Sequence, residues 1–511
     1  MTVIIDGNSL TIDDVIGVAR RGERVEVSEK AVKKVLENAE LVRKVVEQGQ
    51  TIYGVTTGIG DLVNVRIDRK DAEELQRRIV RSHQAGTGRI LAEDFTRATM
   101  LLRANAIAKG YSGVRPITLS TLVEMLNRNV LPVIYEKGSL GASGDLAPLA
   151  HIAAVVMGEG EAFYRGRKMP GADALAKAGL KPVNLTYKEA IGLINGTQMM
   201  TAVGVLVYHD TVQVFKTAQI ATALTMDALA SPVSVLDARV HKLRPYKGQQ
   251  TVASNLRALT RGRMIGTHAT SKIQDGYSLR CAPQILGATY DALEYIKKQL
   301  ETEINSAVDN PLFFTETGDY ASAGNFHGQP ISMALDFLAI ALANVGNLGE
   351  RHINRLLDAK LSNLPEFLAG GRKGINSGLM VAQYTAGALV CENRILANPA
   401  GADTISVSAD QEDHTSLGPI AAFKARDICE NTQTVIAIEL LCAAQALDWA
   451  IKLNRISKAG AGAGAAYDAV RKSVPFMDDD RPLQPDFDRI RELIRSGDLL
   501  AEVEKTSGKL K

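Results

Sequence analysis

The chain has 511 residues, of which 46% are hydrophobic and 23% are charged, and its formal net charge is +2. This hydrophobic share is sufficient for a large buried core, while the nearly balanced charge excludes the basic footprint of a nucleic-acid-binding protein. The four cysteines stand far apart without CxxC spacing, and the first six residues do not resemble a signal peptide, so we expect a soluble cytoplasmic protein with reduced thiols.

The first 110 residues mix strand and helix signals. Thr2–Ile5 has the character of a strand, and Ser28 precedes a charged amphipathic segment that is predicted to be a helix. A further helix is predicted over residues 94–109, with Asp94 as its cap and Gly110 as its stop. We therefore predict a smaller mixed N-terminal domain, residues 1–110.

After about residue 185 the pattern is almost wholly helical, in segments longer than the globular average. Thr186 and Glu189 match a capping box, and the helix after them is predicted to run past Thr197 towards Ala230. Other helices are predicted over residues 283–306, from Gln329 onward, and over 378–396 and 419–451. The predicted fold class is mainly α, with residues 111–511 forming a helical domain around a long central bundle.

The helix from Gln329 onward carries an apolar seam. Its members recur at steps of three and four residues, as in a helical bundle: Ile331, Leu335, Leu338, Leu342 and Val345. Several of the predicted helices are apolar around much of their circumference, so we expect partner subunits to cover them in a homo-oligomer. No apolar run is long enough to cross a membrane without a charged or polar break, and the scattered histidines indicate no metal site.

Residues 459–465 alternate alanine and glycine. By its letters this stretch resembles a dinucleotide-binding fingerprint, but no buried strand precedes it. A flexible link is the interpretation that composition favours.

The most informative stretch is Gly138-Ser139-Leu140-Gly141-Ala142-Ser143-Gly144-Asp145-Leu146-Ala147-Pro148. Because glycine has no Cβ, the amide nitrogen of Gly144 can attack the carbonyl of Ala142. Loss of that oxygen as water closes a five-membered ring, and loss of the Ser143 hydroxyl leaves an exocyclic methylene. The product is 4-methylidene-imidazol-5-one, an electrophile of a kind that ordinary side chains do not provide.

This stretch has two other interpretations. Ser143 or Asp145 could cap a helix that starts near Leu146, with Pro148 in its first turn, and this is the commoner use of such a string. An esterase nucleophile elbow requires glycine two residues after the serine, where this chain has Asp145, so that pattern fails.

Polar groups elsewhere interrupt the apolar patterns. Tyr53 stands in a loop rich in glycine and threonine, where it could act as an acid or base, although an ordinary turn is the simpler interpretation. Arg280 offers a fork for a carboxylate, although arginines more often form structural ion pairs. The other polar groups are His83, the amides around Asn195, the segments Gln274–Cys281 and Gly324–His327, and Gln411-Glu412-Asp413-His414.

In their order along the chain and in their residue types, these segments resemble the aromatic amino acid ammonia-lyase family. The resemblance covers nearly the whole chain, from about Thr51 to about Gln445. The resemblance implies a methylidene-imidazolone (MIO) formed from Ala142-Ser143-Gly144, no diffusible cofactor and no metal. It also implies the helical fold shared with the fumarase and aspartase (L-aspartase-like) superfamily, although the Gly-Ser-Ser-x-Met-Pro signature of those enzymes is absent. A homotetramer with active sites shared between subunits is expected by the same likeness.

The resemblance also implies roles for individual residues. Tyr53 would remove the β-proton, Arg280 would bind the substrate carboxylate, and Asp145 would support formation of the ring. The remaining members of the implied site are Asn195 and Tyr277 flanking ring and substrate, Gln274 and Phe326 lining the pocket, and His83 and Glu412 holding the substrate ring, with Glu412 also moving protons.

Within the family the likeness is greatest to the histidine ammonia-lyases, which implies conversion of L-histidine to trans-urocanate and ammonia. Ser82-His83 and the acidic Glu412 match those enzymes, and an imidazole can hydrogen-bond both groups where a benzene ring cannot. Four positions depart from the pattern: Thr56, Ile59, Met199 and Asp410. Because some tyrosine 2,3-aminomutases share Ser-His and Thr-Thr at these places, a tyrosine or phenylalanine lyase or aminomutase is the alternative.

Overall fold

The structure is a computed structural model that describes residues 2–68, 71–269, 273–372 and 374–511. It is 60% helix and 9% strand, which confirms the mainly α fold class. By compactness the chain divides into two units. Unit 1 comprises Met1–Leu206, Lys297–Asp336 and Pro399–Phe423, and unit 2 comprises Val207–Ile296, Phe337–Asn398 and Lys424–Lys511. The domain boundary near residue 110 stays a prediction.

The helices that lie wholly in unit 1 come first in the chain. They are α1 Ile12–Arg20, α2 Glu29–Glu47, α3 Ala72–His83, α4 Glu93–Ala108, α5 Pro116–Asn127, α6 Leu146–Val156, α7 Gly171–Lys177 and α8 Glu189–Ile194. The later helices are α9 Gln198–Ala228, α10 Ala238–Lys242, α11 Lys247–Leu259, α12 Tyr277–Arg280, α13 Ala282–Glu303, α14 Gln329–Leu357, α15 Ala359–Ser362, α16 Met380–Leu396, α17 Gly418–Lys452, α18 Ala461–Ser473, α19 Gln484–Arg495 and α20 Asp498–Ser507.

The strands are short and form small sheets. They are β1 Thr2–Ile5, β2 Arg24–Val27, β3 Thr87–Ile90, β4 Val130–Pro132, β5 Tyr135–Lys137, β6 Glu161–Tyr164, β7 Arg167–Pro170, β8 Met264–Ile265, β9 Leu312–Phe314, β10 Asp319–Ala321 and β11 Ile456–Lys458. The pair β1 and β2 is parallel with Thr2 opposite Arg24, the β3–β5, β8–β11 and β9–β10 pairs are antiparallel, and β4, β6 and β7 form an antiparallel three-stranded sheet.

Local sequence signals account for the N-terminal elements. The strand predicted at Thr2–Ile5 is confirmed, and Ser28 caps α2 by accepting a hydrogen bond from the Ala31 N–H at 3.2 Å. The cap predicted at Asp94 is wrong, because α4 begins one residue earlier, after Ala92. Asp94 instead lies in the first turn, where a carboxylate is favoured by the helix dipole.

The helix predicted to run past Thr197 is interrupted. Helix α8 ends at Ile194 and α9 begins at Gln198. The backbone leaves the helical conformation here, with Asn195 extended and Gly196 at φ +153°. The freed carbonyls of Gly192 and Asn195 accept hydrogen bonds from the buried Arg103 guanidinium at 2.6 and 2.7 Å, which replaces the bonds that a continuous helix would supply.

The long helices predicted further along the chain are confirmed, in α13, α14, α16 and α17. All five members of the predicted seam of α14 are buried. By length and composition alone α14 and α17 are apolar enough to cross a membrane. However, 72% and 78% of their most apolar windows are buried inside the protein, as in the core helices of a soluble protein.

The alternating Ala/Gly stretch is not a flexible link. Helix α18 begins at Ala461, and its glycines allow close packing: a Cβ on Gly462 would lie 2.5 Å from Cδ2 of Leu259. The Gly460 N–H donates to the buried Asp227 carboxylate at 2.7 Å. The composition of this stretch predicted a flexible link because composition carries no information about the close approach of a second helix.

Candidate active site

The Ala142-Ser143-Gly144 run immediately precedes α6 in unit 1. Ser143 is buried, and Gly144 has φ +73°. A Cβ on Gly144 would lie 2.2 Å from the carbonyl oxygen of Gly196, and the Asp145 N–H donates to that same oxygen at 2.7 Å. Thus the glycine of the run is required by a close backbone approach.

The helix-cap interpretation of this run fails. Asp145 occupies the N-cap position of α6, but its side chain makes no capping bond within the described part of the chain. Its carboxylate instead accepts from the Met200 N–H at 2.9 Å, in the first turn of α9, and from the Ser139 hydroxyl at 3.3 Å. The carboxylate therefore joins the loop of the run to the positive end of another helix.

Asp145 is fully buried, and burial raises its pKa to about 7 against the opposing hydrogen bonds from the Met200 and Met199 N–H groups and Ser139. The nearby Glu303 charge raises the pKa further. Burial also raises the pKa of Glu303, which is hydrogen-bonded to the Thr197 hydroxyl. Two acids that retain protons more strongly than usual therefore lie beneath the run.

A second segment of unit 1 holds the run from another direction. The Ser416 hydroxyl donates to the Gly141 carbonyl at 3.0 Å, and the Leu417 N–H donates to the Leu140 carbonyl at 2.8 Å. A Cβ on Gly141 would lie 2.2 Å from the Ser416 Oγ. These bonds bring the Gln411-Glu412-Asp413-His414 block to the run.

Glu412 closes a tight turn in this segment. Val407 and Glu412 exchange backbone hydrogen bonds at 3.0 and 3.2 Å, and the intervening Ser408, Ala409 and Asp410 all have positive φ, between 50° and 62°. Consecutive left-handed residues without glycine store strain, which in proteins concentrates at functional sites. The turn presents the Glu412 side chain to Ser143, whose hydroxyl hydrogen-bonds it.

Burial raises the pKa of Glu412, although the hydrogen bond with Ser143 opposes the shift. An acid whose pKa is raised, beside the serine of the run, is suited to exchanging protons with a reacting group. The same turn approaches the Tyr53 loop, because the Asp61 N–H donates to the Ser408 Oγ at 3.3 Å.

The Tyr53 loop is fixed by apolar packing on both sides of the tyrosine. Ile52 and Val55 are completely buried, in a cluster with Phe313 and with Val42, Val45 and Val46 of α2. The Gly60 N–H donates to the Tyr53 phenolic oxygen at 2.9 Å. Burial raises the pKa of Tyr53, the Gly60 N–H opposes this, and the Glu412 charge raises it further.

His83 is the last residue of α3 and is half-buried. Its Nδ1 lies 2.8 Å from the Ile79 carbonyl, an acceptor, so Nδ1 carries the proton in the neutral ring and Nε2 is left with its lone pair. Burial lowers the pKa of His83 against the effect of that carbonyl, so the ring is neutral at pH 7.

Asn195 and Phe326 complete the predicted residues of unit 1. Asn195 is buried, and its Oδ1 has no hydrogen-bond partner among the described residues. Phe326 is half-buried in the loop before α14. The next residue, His327, stacks on His414 with ring centroids 5.7 Å apart and bonds its carbonyl at 3.1 Å, which ties the Phe326 loop to the Glu412 block.

The other three predicted residues form their own cluster in unit 2. The Arg280 guanidinium lies 4.8 Å from the Tyr277 ring centroid and donates to Gln274 Oε1. Across the described ranges Arg280 contacts no carboxylate, and its buried Nε has no hydrogen-bond partner. Tyr277 is 70% exposed. An arginine without a carboxylate partner suits recognition of an anionic ligand.

Sequence reasoning missed several residues that hold this site. Arg103 is fully buried in α4, donates to Gln198 Oε1 at 2.9 Å, and binds the backbone of the Asn195 turn. Its only sequence signal is an arginine inside an apolar segment, Met100-Leu101-Leu102-Arg103-Ala104. Glu303 and Ser416 carry no comparable signal, because their partners are distant in sequence.

The residues present fit an MIO made from Ala142-Ser143-Gly144. A Cβ on Gly144 would lie 2.2 Å from the Gly196 carbonyl oxygen, so the surrounding backbone leaves room only for glycine at the position whose amide must attack. The Ser143 hydroxyl, which must leave as water, is hydrogen-bonded to the carboxyl of Glu412. The Oδ1 of Asn195, which no described residue hydrogen-bonds, lies in the turn that contacts Gly144 and provides a polar group for the ring or the substrate.

Comparison with known proteins identifies the class. The pattern of the aromatic amino acid lyase family matches residues 10–472, and the chain belongs to this family of enzymes. It is 49% identical over 504 residues to histidine ammonia-lyase of Alkaliphilus oremlandii, covering 98% of each chain. It is 47% identical over 507 residues to histidine ammonia-lyase of Caldanaerobacter subterraneus, covering 99% of each.

Solved structures share the fold over nearly the full length. Histidine ammonia-lyase from Trypanosoma cruzi is 38% identical with a TM-score of 0.91, covering 99% of this chain and 95% of that one. Tyrosine aminomutase from Streptomyces globisporus is 39% identical with a TM-score of 0.94, covering all of both chains. Similar backbones therefore accompany different named activities.

Proposed function

We propose that the protein is a histidine ammonia-lyase, which converts L-histidine to trans-urocanate and ammonia in the first step of histidine degradation. The observation that carries this proposal is the hydrogen bond between the Glu412 carboxyl and the Ser143 hydroxyl, close enough to Tyr53 for the Glu412 charge to act on it. By the family resemblance, an acid at this position is typical of the histidine enzymes and not of the phenylalanine and tyrosine enzymes. The relatives at 49% and 47% identity are named histidine ammonia-lyase.

Ring formation would use the contacts around the run. The Gly144 nitrogen bonds the Ala142 carbonyl carbon, whose oxygen leaves as water, and Ser143 then loses its hydroxyl and an α-proton as a second water. Asp145 supports this step by fixing the loop against α9. The ring supplies an electrophile for the substrate amine, which makes its nitrogen a better leaving group.

The chain's own residues would bind and deprotonate the substrate. Tyr53 removes the β-proton, and Glu412, whose charge acts on the Tyr53 phenol, receives or returns protons. His83 Nε2, the unprotonated nitrogen of a neutral ring, accepts the N–H of the substrate imidazole. Arg280 binds the carboxylate, Asn195 and Tyr277 flank ring and substrate, and Gln274 and Phe326 line the pocket.

We further propose a cytoplasmic homotetramer whose active sites are shared between subunits. Tyr277 is 70% exposed although it is proposed to face substrate, so another surface would have to cover it. Large apolar side chains are also exposed on the helices of unit 2: Phe337, Ile340, Val381, Tyr384 and Ile395. Such exposure is typical of subunit interfaces. No nucleic-acid or membrane partner is proposed.

A tyrosine aminomutase is the second candidate. It is favoured by the full-length similarity to the enzyme from Streptomyces globisporus and by Thr56 in the Tyr53 loop. A tyrosine phenol can also hydrogen-bond His83, whereas the phenylalanine ring cannot.

The deciding experiment is turnover of L-histidine, L-tyrosine and L-phenylalanine, followed by ultraviolet absorbance and product chromatography. We expect urocanate and ammonia from L-histidine, with little product from the other two. Coumarate or β-tyrosine from L-tyrosine, without urocanate from L-histidine, would refute the substrate assignment. Intact mass tests the ring separately, because the mature chain should be two waters lighter than its sequence.

A further inference from the structure

Unit 2 contains a buried ion pair that the proposed reaction does not use. His352 Nδ1 lies 2.7 Å from Glu439 Oε1, and both side chains are almost fully buried. The Thr225 hydroxyl donates to the same carboxylate oxygen at 3.2 Å. Buried ion pairs are weak contributors to stability, so their presence often reflects a need for one particular geometry.

The other nitrogen of His352 reaches the Arg280 segment. Nε2 lies 2.9 Å from the carbonyl oxygen of Ser278, in the single-turn helix α12. Both ring nitrogens thus face oxygen acceptors, which only the doubly protonated ring satisfies. Burial would lower the pKa of His352, but the Glu439 charge and hydrogen bond and the Ser278 carbonyl outweigh it, so the pKa is raised.

Helix α14 holds this segment at a second point, one turn further along. A Cβ on Gly276 would lie 2.3 Å from Nη1 of Arg355, so the guanidinium packs directly on the backbone before α12. Helix α12 has few backbone bonds of its own: the Leu279 and Arg280 N–H groups donate to the Gly276 carbonyl, and the Cys281 N–H donates to Tyr277. A helix this short depends on outside contacts for its orientation.

We propose that His352, paired with Glu439, is a positioning residue that fixes α12 so that Arg280 can bind the substrate carboxylate. The inference rests on the proposed function for its consequence in catalysis. Its structural part, that this ion pair orders α12, does not depend on the identity of the substrate.

The test uses two measurements on the full-length protein. The double variant His352→Leu/Glu439→Gln removes the donor without leaving a buried charge unpaired, and His352→Gln retains a side-chain N–H that can reach Ser278. Asp227→Asn is the matched control, because Asp227 is an equally buried carboxylate of unit 2 that binds Arg263 and Gly460 and not α12.

Hydrogen–deuterium exchange is the first measurement. We expect the amides of Leu279, Arg280 and Cys281 to exchange about tenfold faster in the double variant, as for the loss of one charge-assisted hydrogen bond. His352→Gln should restore part of this protection, and Asp227→Asn should leave these amides as in the wild type. Unchanged protection in the double variant, or equal loss in Asp227→Asn, would refute the ordering role.

Steady-state kinetics is the second measurement. The KM for L-histidine should rise about tenfold in the double variant with a smaller change in kcat, since carboxylate binding is lost. The effect should largely vanish in an Arg280→Lys background. Faster exchange without a rise in KM overturns the proposal as stated. A wild type without histidine turnover refutes the proposed function instead, and the exchange data still decide whether His352 orders α12.

Discussion

Gly144 and Gly196 meet backbone to backbone. A Cβ on Gly144 would lie 2.2 Å from the carbonyl oxygen of Gly196, which also accepts the Asp145 N–H at 2.7 Å. The residue that must act as the internal nucleophile is thus confined by a turn more than fifty positions further along the chain, and Arg103 holds that turn in place.

Gly144→Ala should therefore abolish ring formation, and its purified chain should retain the full mass of its sequence. Gly166→Ala is a matched control, because Gly166 has the same φ of +73° but nothing within 4 Å of its Cβ position. The control should lose two waters as in the wild type, at a stability cost of about 1 kcal/mol for the left-handed conformation. A dehydrated Gly144→Ala chain would contradict this account.

Tyr53→Phe should lower kcat by roughly 10²- to 10⁴-fold with little change in KM, because a proton acceptor is lost while binding contacts remain. Tyr320→Phe is the control, since the Tyr320 hydroxyl donates to the Thr51 carbonyl at 3.0 Å and supports the same loop. Equal losses in both variants would indicate that loop order, rather than the Tyr53 phenol, limits the reaction.

Glu412→Gln should lower the pKa of Tyr53, because the Glu412 charge disfavours the tyrosinate. The measurement is the ultraviolet absorbance of tyrosinate as a function of pH. Subtracting the curve of Glu412→Gln/Tyr53→Phe from that of Glu412→Gln leaves the titration of Tyr53 alone. The same difference with Glu412 present gives the reference. An unchanged or raised pKa would show that the two groups are not coupled.

Asp145 should make stability depend on pH. Its folded pKa of about 7 exceeds the ordinary value of 3.8, so the folded state retains a proton that the unfolded state releases between these values. The contribution of Asp145 to the free energy of unfolding should thus fall by about 4 kcal/mol in total as pH rises from about 4 to 7, and should stay level above pH 7. Urea unfolding of Ser143→Ala and Ser143→Ala/Asp145→Asn compares two chains that both lack the ring.

The double variant should lose this fall in stability between pH 4 and 7 and should be the more stable of the two at pH 8. Parallel pH profiles for the two chains would show that Asp145 keeps an ordinary pKa when folded.

His83→Leu should reduce kcat/KM for L-histidine by roughly 5- to 150-fold, as expected for about 1–3 kcal/mol from an unpaired imidazole N–H. Turnover of L-phenylalanine, whose ring has no such group, should not fall. The amino acid panel on both proteins is the measurement, and an equal loss for both substrates would assign His83 a structural role.

Short stretches of the sequence identified the family and predicted the ring, because those signals depend only on neighbouring residues. Ala142-Ser143-Gly144 encodes its own chemistry, and the seam of α14 encodes its burial through helical spacing alone. The break at Asn195 was not predicted, although Asn195-Gly196 is a pair that favours turns, because the apolar residues on both sides of it continue the helical pattern. The left-handed turn before Glu412 was not predicted either, since Ser408 and Ala409 carry no local preference for that conformation.

The sequence by itself determined the family, the helical class and the tripeptide from which an electrophile is expected. Only the tertiary structure decided which groups stand against that tripeptide: the Gly196 carbonyl, the carboxyls of Asp145 and Glu303 with their raised pKa values, and the Glu412 turn. The physical reason is that burial and charge coupling act through space. Residues far apart in the chain acquire shifted pKa values and restricted backbones only once the fold has removed water and brought them together.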